Sequence, residues 1–479
     1  MSYQRILSFS LGVALACCGA ALVTAGAVPA SEALLIEHAR VVDVATGAVR
    51  EDTSVLSMDG KIAEIGGHMK APRGAHRVDA HGNYLIPGLW DMHVHLTGTI
   101  ADANRSRDVL LPLLVANGVT GVRDMGGIFA ALQEWRKQIA AGTLLGPQIY
   151  AAGPMLNGSP DEAEIMAARN PEEARARVTE LKSMGVDFVK VLSSLDRDTY
   201  FAVAKAARAN GMDFVGHVPP LVSSVEASDA HQKSIEHILY GGIPLACSSD
   251  ADALRQQMAK AMNSGALLNV AKVEDAAAAS FDQGRADELW KTLKKNGTWV
   301  VPTLTSTYTS SRLDELVKAD PDAAYLPNAV TQKWTAEGLK VSLREEKLAW
   351  WRRELPRYLE MVRQMHAAGV GILAGTDSLD TLNVPGSSLA KELELLTEAG
   401  FTPLEALQAA TVKPAEFMGR TDTGNVAKGS RADFVLLEAD PLADIHNVRK
   451  ISAVVVAGKY LSRGELDQML ARLKENAGK

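Results

Sequence analysis

Apolar and polar positions alternate in short runs over residues 33–87. The runs 34–36, 40–44, 54–58 and 62–65 are separated by Asp59-Gly60 and Gly66-Gly67. A period of two marks half-buried strands, and the Asp-Gly and Gly-Gly pairs mark turns. The pattern returns near the other end at 433–437 and 451–457, the latter closed by Gly458. These segments predict a small β-sandwich domain built from both termini, 31–87 with 424–479. Between them the period switches back and forth. Strand-like runs fall at 84–89, 120–124, 148–152, 187–192, 213–217, 234–238, 299–304 and 371–375. The clearest helical stretches are 171–184, 198–210 and 285–296. Eight strand–helix units in one run predict an α/β fold, a (β/α)₈ TIM barrel over 88–423. An open doubly wound sheet shares that alternation. Residues 306–355, long, charged and carrying Trp334, Trp350 and Trp351, interrupt it. They read as helical, either a lid over the strand ends or a decoration on the outside.

Residues 1–30 follow another pattern. Arg5 gives a positive start, 6–18 is almost wholly apolar, and small residues run through Val28-Pro29-Ala30. That order is a secretory signal peptide cleaved after Ala30, and it predicts an exported, periplasmic or secreted protein. A transmembrane anchor over 6–30 and a lipoprotein anchored at Cys17 are the lesser alternatives. Cys17 and Cys18 leave with the signal, so Cys247 has no disulfide partner within the mature chain. The 479 residues carry 47% hydrophobic and 22% charged side chains, an ordinary globular balance. A formal net charge of -7 and no basic block argue against nucleic acid as a partner. The mature chain is expected to be free of the membrane and to act on a small molecule or short peptide, as a monomer or homo-oligomer.

The chemistry begins at His93-Val94-His95, after the strand-like run 85–91. Two residues apart on a strand, both imidazoles point to one side and can reach one cation. Alone this pair says little. Four other strand-like runs also end in ligand-type residues: Lys190, His217, His237 and Asp377. The strand ends of a barrel converge on its catalytic face, whereas an open sheet would need a coincidence. Burying four imidazoles, an ammonium and a carboxylate together is costly unless a metal or pairing offsets it.

Pro87-Gly88-Leu89-Trp90-Asp91-Met92-His93-Val94-His95, Lys190, His217, His237 and Gly375-Thr376-Asp377 together resemble the amidohydrolase superfamily. So do Gly424-Asn425-Val426-Ala427-Lys428-Gly429 and the run 432–437 that follows. The likeness covers about 34–459. It implies two divalent metal ions, Zn²⁺ in the first instance. His93, His95 and Asp377 would hold one, and His217 and His237 the other. Lys190, as a carbamate formed with CO₂, would bridge them. A water between two cations would be the nucleophile, with Asp377 as its catalytic base and proton carrier. The bridging lysine and the runs at 118–124 and 234–237 are most like the binuclear branch of dipeptidases and N-acyl-amino-acid hydrolases, related to imidazolonepropionase. In many of those relatives a His precedes the Glu-Leu matched to Glu392-Leu393, where Ala390-Lys391 stand here.

The resemblance therefore implies a metal-dependent hydrolase of amide or peptide C–N bonds. An esterase, lactonase or phosphotriesterase could use the same cage, and a solute-binding protein with a relict barrel is the reading from another class. Arg123, at a strand end, is a candidate fork for a substrate carboxylate. Its alternative is an ion pair with Asp124 or Asp91. His38, His68, His76, His81, His231, His366 and His446 read as surface or capping residues.

Overall fold

The computed structural model describes residues 33–100, 102–318 and 320–478. The segment read as a signal peptide, 1–30, lies outside the described residues. Both ends of the described chain meet in one eight-stranded sheet. Its order is Lys459–Ser462, Ile451–Val456, Phe434–Leu437, Tyr84–Pro87, Ala33–Asp43, Ala48–Met58, Lys61–Gly66, with His76–Asp79 also pairing Ala33–Asp43. The terminal strands are thus joined by hydrogen bonds in one continuous sheet rather than two separate ones. Leu34, Ile36, Val41, Val55, Leu85, Phe434 and Val455 form the buried cluster on this sheet. The last stretch departs from the β reading. Arg463–Asn476 is a helix, started by a capping box in which Ser462 and Glu465 satisfy each other's backbone donors. It packs on helix Ala103–Ala116.

The middle of the chain alternates strand and helix as the periodicity predicts. Leu89–Val94, Val119–Asp124 and Gln148–Ala151 form one parallel sheet. Val189–Val191, Phe214–Gly216, Ser234–Glu236 and Trp299–Val301 run parallel in a second, which two short strands, Met155–Asn157 and Ile165–Ala167, extend. The eighth run is not a regular strand, yet its backbone bonds to a neighbour on each side. Gly371 O accepts from Val300 N at 2.9 Å, and Leu373 N donates to Val300 O at 3.0 Å. On the other side Met92 N donates to Ala374 O at 2.9 Å and Asp377 N to His93 O at 2.7 Å. Asp187 N donates to Ala151 O at 2.9 Å, linking the first sheet to the stretch that leads into Val189–Val191.

The helices start and stop where their caps dictate. Pro171–Met184 begins after Asn170, whose side chain accepts from Glu172 N and Glu173 N, and ends at left-handed Gly185. Arg197–Ala209 and Gln283–Asn296 fall on their predicted stretches. Two helices between them are new: Ala251–Asn263 and Leu267–Ala279, an insertion after the sixth strand. Residues 306–355 are not one helix. Leu304–Ser311 starts directly after the seventh strand, short turns follow, and the long helix is Glu345–Ala368. Trp350 is buried there, its ring centroid 4.3 Å from that of Trp351. Among the described residues no helix is long and apolar enough to cross a membrane.

Candidate metal centre

The four histidines and Lys190 sit at or just past the C-terminal ends of parallel strands, Asp377 closes the irregular eighth run, and the structure brings them to one place. The imidazole centroids of His93 and His95 are 5.6 Å apart, those of His93 and His237 4.7 Å, and those of His217 and His237 5.1 Å. His93 Nε2 lies 3.3 Å and His95 Nε2 3.5 Å from the same Asp377 oxygen, Oδ1. His237 Nδ1 is 3.9 Å from the other oxygen, Oδ2. Three of these positions need unusual backbone. His237 has φ 63°, Asp377 φ 58°, and Thr303, beside His237, φ 47°. A left-handed conformation in a residue with a side chain persists only where its surroundings enforce it. Gly216 meets a related demand: a Cβ there would lie 2.2 Å from Val191 O and 3.0 Å from the Lys190 stem. Only glycine lets His217 follow so closely on Lys190.

The partners of each ring decide which nitrogen carries the proton. His93 Nδ1 is 2.9 Å from a Glu236 carboxylate oxygen, so Nδ1–H donates. His95 Nδ1 donates to the Gly126 carbonyl at 3.0 Å. Thr303 Oγ1 donates to Pro302 O at 2.8 Å and therefore accepts from His237 Nδ1 at 2.7 Å. His217 Nδ1 is 2.8 Å from Ser193 Oγ, and its ring stacks on Tyr240 at 4.9 Å and 11°. Burial, aided by the nearby Lys190 ammonium, holds His93 and His217 well below the usual histidine range. Burial, with His93 next in weight, does the same to His237.

A neutral ring that donates from Nδ1 has a bare lone pair at Nε2. His93 Nε2 is buried without a hydrogen-bond partner. Two lone pairs thus face one carboxylate oxygen, an arrangement that repels unless a cation sits between them. Nitrogen and oxygen donors of this kind suit Zn²⁺ and similar divalent ions, so the donor set fits a metal. Lys190 is 1% exposed, and burial lowers its amine to about 8. That brings the free amine within reach of neutral pH.

A buried layer beneath the ligands holds them in place. Arg123 is fully buried; its Nη2 reaches both Glu236 oxygens at 2.8 and 2.9 Å, Nη1 donates to Ser234 Oγ at 3.0 Å, and Nε donates to Met92 O at 2.6 Å. Its fork is therefore occupied by Glu236, and the partner is neither Asp124 nor Asp91. Asp91 accepts from Thr376 N at 3.0 Å and Thr376 Oγ1 at 2.7 Å, fixing the residue before Asp377. Burial pushes its carboxyl up to about 7. Asp124 accepts from Leu96 N at 2.8 Å and steadies the turn after His95. Glu392 accepts from Leu304 N, Thr305 N and Thr305 Oγ1 at 3.1, 2.8 and 2.7 Å, pinning the helix start next to Thr303.

Sequence reasoning passed over Glu236, Asp91, Thr303, Ser193 and Glu392 as functional residues. One signal was available. Arg123 and Glu236 are opposite charges inside two apolar strand runs, and such charges need each other. The remaining histidines lie elsewhere: His38 pairs with Asp52, His446 with Asp444, and His366 stacks on Phe401.

Imidazoles and a carboxylate gathered at strand ends, with bare nitrogens turned inward, define a candidate metal centre. The chain belongs to the amidohydrolase family, whose profile matches residues 84–461. It is accordingly a hydrolase acting on carbon–nitrogen bonds. Ochratoxinase of Aspergillus niger is 25% identical over 448 residues, covering 81% of this chain and 76% of that protein. Among solved structures, bottromycin amidohydrolase superposes with a TM-score of 0.70 at 22% identity, covering 93% of this chain and 90% of that one. A Xaa-Pro dipeptidase gives 0.64 at 19%, covering 90% and 100%. At that identity these two likenesses speak for the fold.

Proposed function

We propose that this chain is a binuclear, Zn²⁺-type hydrolase of dipeptides or N-acyl amino acids. The observation that carries it is the pair of bare Nε2 atoms, on His93 and His95, facing one oxygen of Asp377. In this reading His93, His95 and Asp377 would hold one ion, His217 and His237 would hold a second, and Lys190, as a carbamate, would supply a shared oxygen donor. Its ammonium would lose one proton, and the free amine would then add to CO₂ and release a second, so that a buried cation becomes an anionic oxygen donor. Bound there, the ions supply Lewis acidity to the scissile carbonyl and to the attacking water. Asp377, at the open end of its strand, takes the proton of that water and passes it to the leaving nitrogen. Glu236 and Thr303 keep the imidazole protons on Nδ1, so the Nε2 lone pairs stay turned inward.

The two parallel sheets, joined through 371–377 and through Asp187, are read as one closed (β/α)₈ barrel, with 31–87 and 424–479 as the β-rich domain. The charged start, apolar core and small residues of 1–30 support export. The names of the dipeptidase and bottromycin amidohydrolase neighbours favour an amide over an ester. The test is metal analysis together with a substrate panel. Protein made with ample zinc and bicarbonate should carry close to two equivalents and hydrolyse dipeptides or N-acyl amino acids ahead of lactones and phosphotriesters. A firm single equivalent, or a preference for the esters, would overturn the reading.

A further inference from the structure

The inserted helix Leu267–Ala279 packs on the long helix Glu345–Ala368 along a seam that holds more acid than base. Glu274 comes from the first helix, Glu354 and Tyr358 from the second, and all three are buried. Trp350, Glu354 and Tyr358 follow at i, i+4 and i+8, so one helix face carries them. Neither carboxylate oxygen of Glu274 has a hydrogen-bond partner, and nor do the Tyr358 hydroxyl and the Trp350 indole N–H. The Tyr358 hydroxyl is near enough to weigh on Glu274, yet the two make no well-formed bond. Buried polar groups are almost always paired, so orphans on both sides of one seam call for a reason.

The charges around Glu274 do not balance. Three carboxylates gather here, Glu274, Asp275 and Glu354, against two guanidiniums, Arg353 and Arg357. Both guanidiniums are taken. Arg357 Nη1 donates to Glu354 at 2.6 Å and to Asp275 at 3.3 Å, and Arg353 Nη2 donates to Asp275 at 3.1 Å. The helices on the other sides of Leu267–Ala279 turn only apolar side chains inward: Ala251, Leu254, Met258 and Ala261 from Ala251–Asn263, and the whole of Ile243–Ala246. Ionised Glu274 would therefore be a buried anion with no cation and no donor, beside a second carboxylate. Burial, with Glu354 next in weight, holds its carboxyl well above the usual range. Tyr358 is also within electrostatic reach of Tyr240, whose ring stacks on His217, so the seam lies near that half of the candidate centre.

We infer that Glu274 is a pH-operated latch: with its proton it lets the insertion 251–279 lie against Glu345–Ala368, and without it the two are driven apart. The closed seam binds the proton more tightly than water-exposed Glu274 does. Closure therefore has its full stability below the ordinary glutamate range and loses it as pH rises towards the raised value. Over that interval the open population should grow by about tenfold per pH unit, and above it the growth should stop.

The experiment is limited proteolysis of the full chain with proteinase K from pH 5 to pH 9, on wild type and Glu274→Gln, with cuts inside 251–279 mapped by mass spectrometry. Glutamine keeps the shape and cannot ionise. Cleavage of a transiently opened segment tracks its open population. Dividing the wild-type rate by the Glu274→Gln rate at each pH removes the protease's own pH dependence. That ratio should climb by about tenfold or more across the range, while the ratio for cuts elsewhere stays level. A flat ratio inside 251–279, or the same climb throughout the chain, would overturn the latch. Should Glu274→Gln fail to fold, hydrogen exchange of the wild type decides. Corrected for intrinsic rates, the amides of Leu267–Ala279 should lose protection with rising pH while those of Arg197–Ala209 keep theirs; unchanged protection in both would overturn the latch. No substrate enters either measurement, so the outcome is independent of the proposed reaction.

Discussion

The two halves of the centre are built from the same ligand type but braced by different chemistry. Under His93 lies a buried carboxylate, Glu236, itself clamped by Arg123. Under His217 and His237 lie hydroxyls, Ser193 and Thr303. A carboxylate accepting from an imidazole raises its basicity and locks its orientation more firmly than a neutral hydroxyl does. The lesson is an asymmetry of function. In the proposed binuclear reading the His93 half should hold its ion tightly as a fixed anchor, and the His217 half should be softer and exchange more readily.

Lys190, the group proposed to join the halves, should show the largest effect. Lys190→Ala removes the shared donor, and activity should fall by roughly a thousandfold, the scale on which preorganised electrostatics are lost. The second metal should be lost with it. A short carboxylic acid should restore part of the activity by occupying the vacated space, whereas Lys190→Arg should not, because a guanidinium stays cationic. Near-normal turnover with both metals retained would erase the comparison, since Lys190 would then join nothing.

Next comes the anchor. Glu236→Gln leaves Arg123 as an uncompensated charge in a fully buried setting, and chemical denaturation should show a loss of about 3–5 kcal/mol. Arg123→Met combined with Glu236→Gln should lose less than Glu236→Gln alone, because no bare charge remains. If the single variant were as stable as the wild type, the buried carboxylate would not be what distinguishes the two halves.

How far this asymmetry could be read from the sequence depends on what each residue needs. The residues gathered at the candidate centre were legible because strand ends are: an apolar run that stops at His217, His237 or Asp377 places that residue without knowledge of its neighbours. The terminal sheet was legible for the same reason, as its alternation is local. The bracing layer was not. Glu236 acquires meaning only when Arg123, on a strand more than a hundred positions earlier, is known to touch it. Thr303 looked like part of a strand, since nothing in its neighbours announces a left-handed turn. Helices Ala251–Asn263 and Leu267–Ala279 escaped because they follow the sixth strand as an insertion, outside the expected one-strand, one-helix rhythm. The terminal helix Arg463–Asn476 was hidden by the assumption that both ends share one structure, although Ser462 and Glu465 form a capping box in plain view.

Thr303→Val tests the softer half. The change keeps the shape and removes the acceptor for His237 Nδ1–H, so the ring loses its fixed tautomer. Affinity for the more weakly held metal should drop by about 10–100-fold, the usual cost of losing such a partner. Thr303→Ser should recover most of it. The readout is the zinc-buffer concentration at which the second equivalent leaves, with the first equivalent unmoved. Loss of both ions together would mean that the halves are not separable.

The smallest effect should come from Ser193→Ala. Its hydroxyl makes one hydrogen bond to His217, worth about 0.5–1.5 kcal/mol. His217 has a second support that His237 lacks, face-to-face stacking on Tyr240 at an interplanar angle of 11°, against 82° for His237 on the same ring. Removing Ser193 Oγ therefore leaves His217 oriented, and second-site affinity should fall by no more than about tenfold. Ser193 and Thr303 brace different rings, so the double variant should approach the sum of the single losses in free energy. A double variant much worse than that sum would mean the two imidazoles back each other up through the shared ion. The softer half would then be a single cooperative unit rather than two independently held ligands, and its contrast with the Glu236 anchor would lie in cooperativity rather than in the strength of each brace.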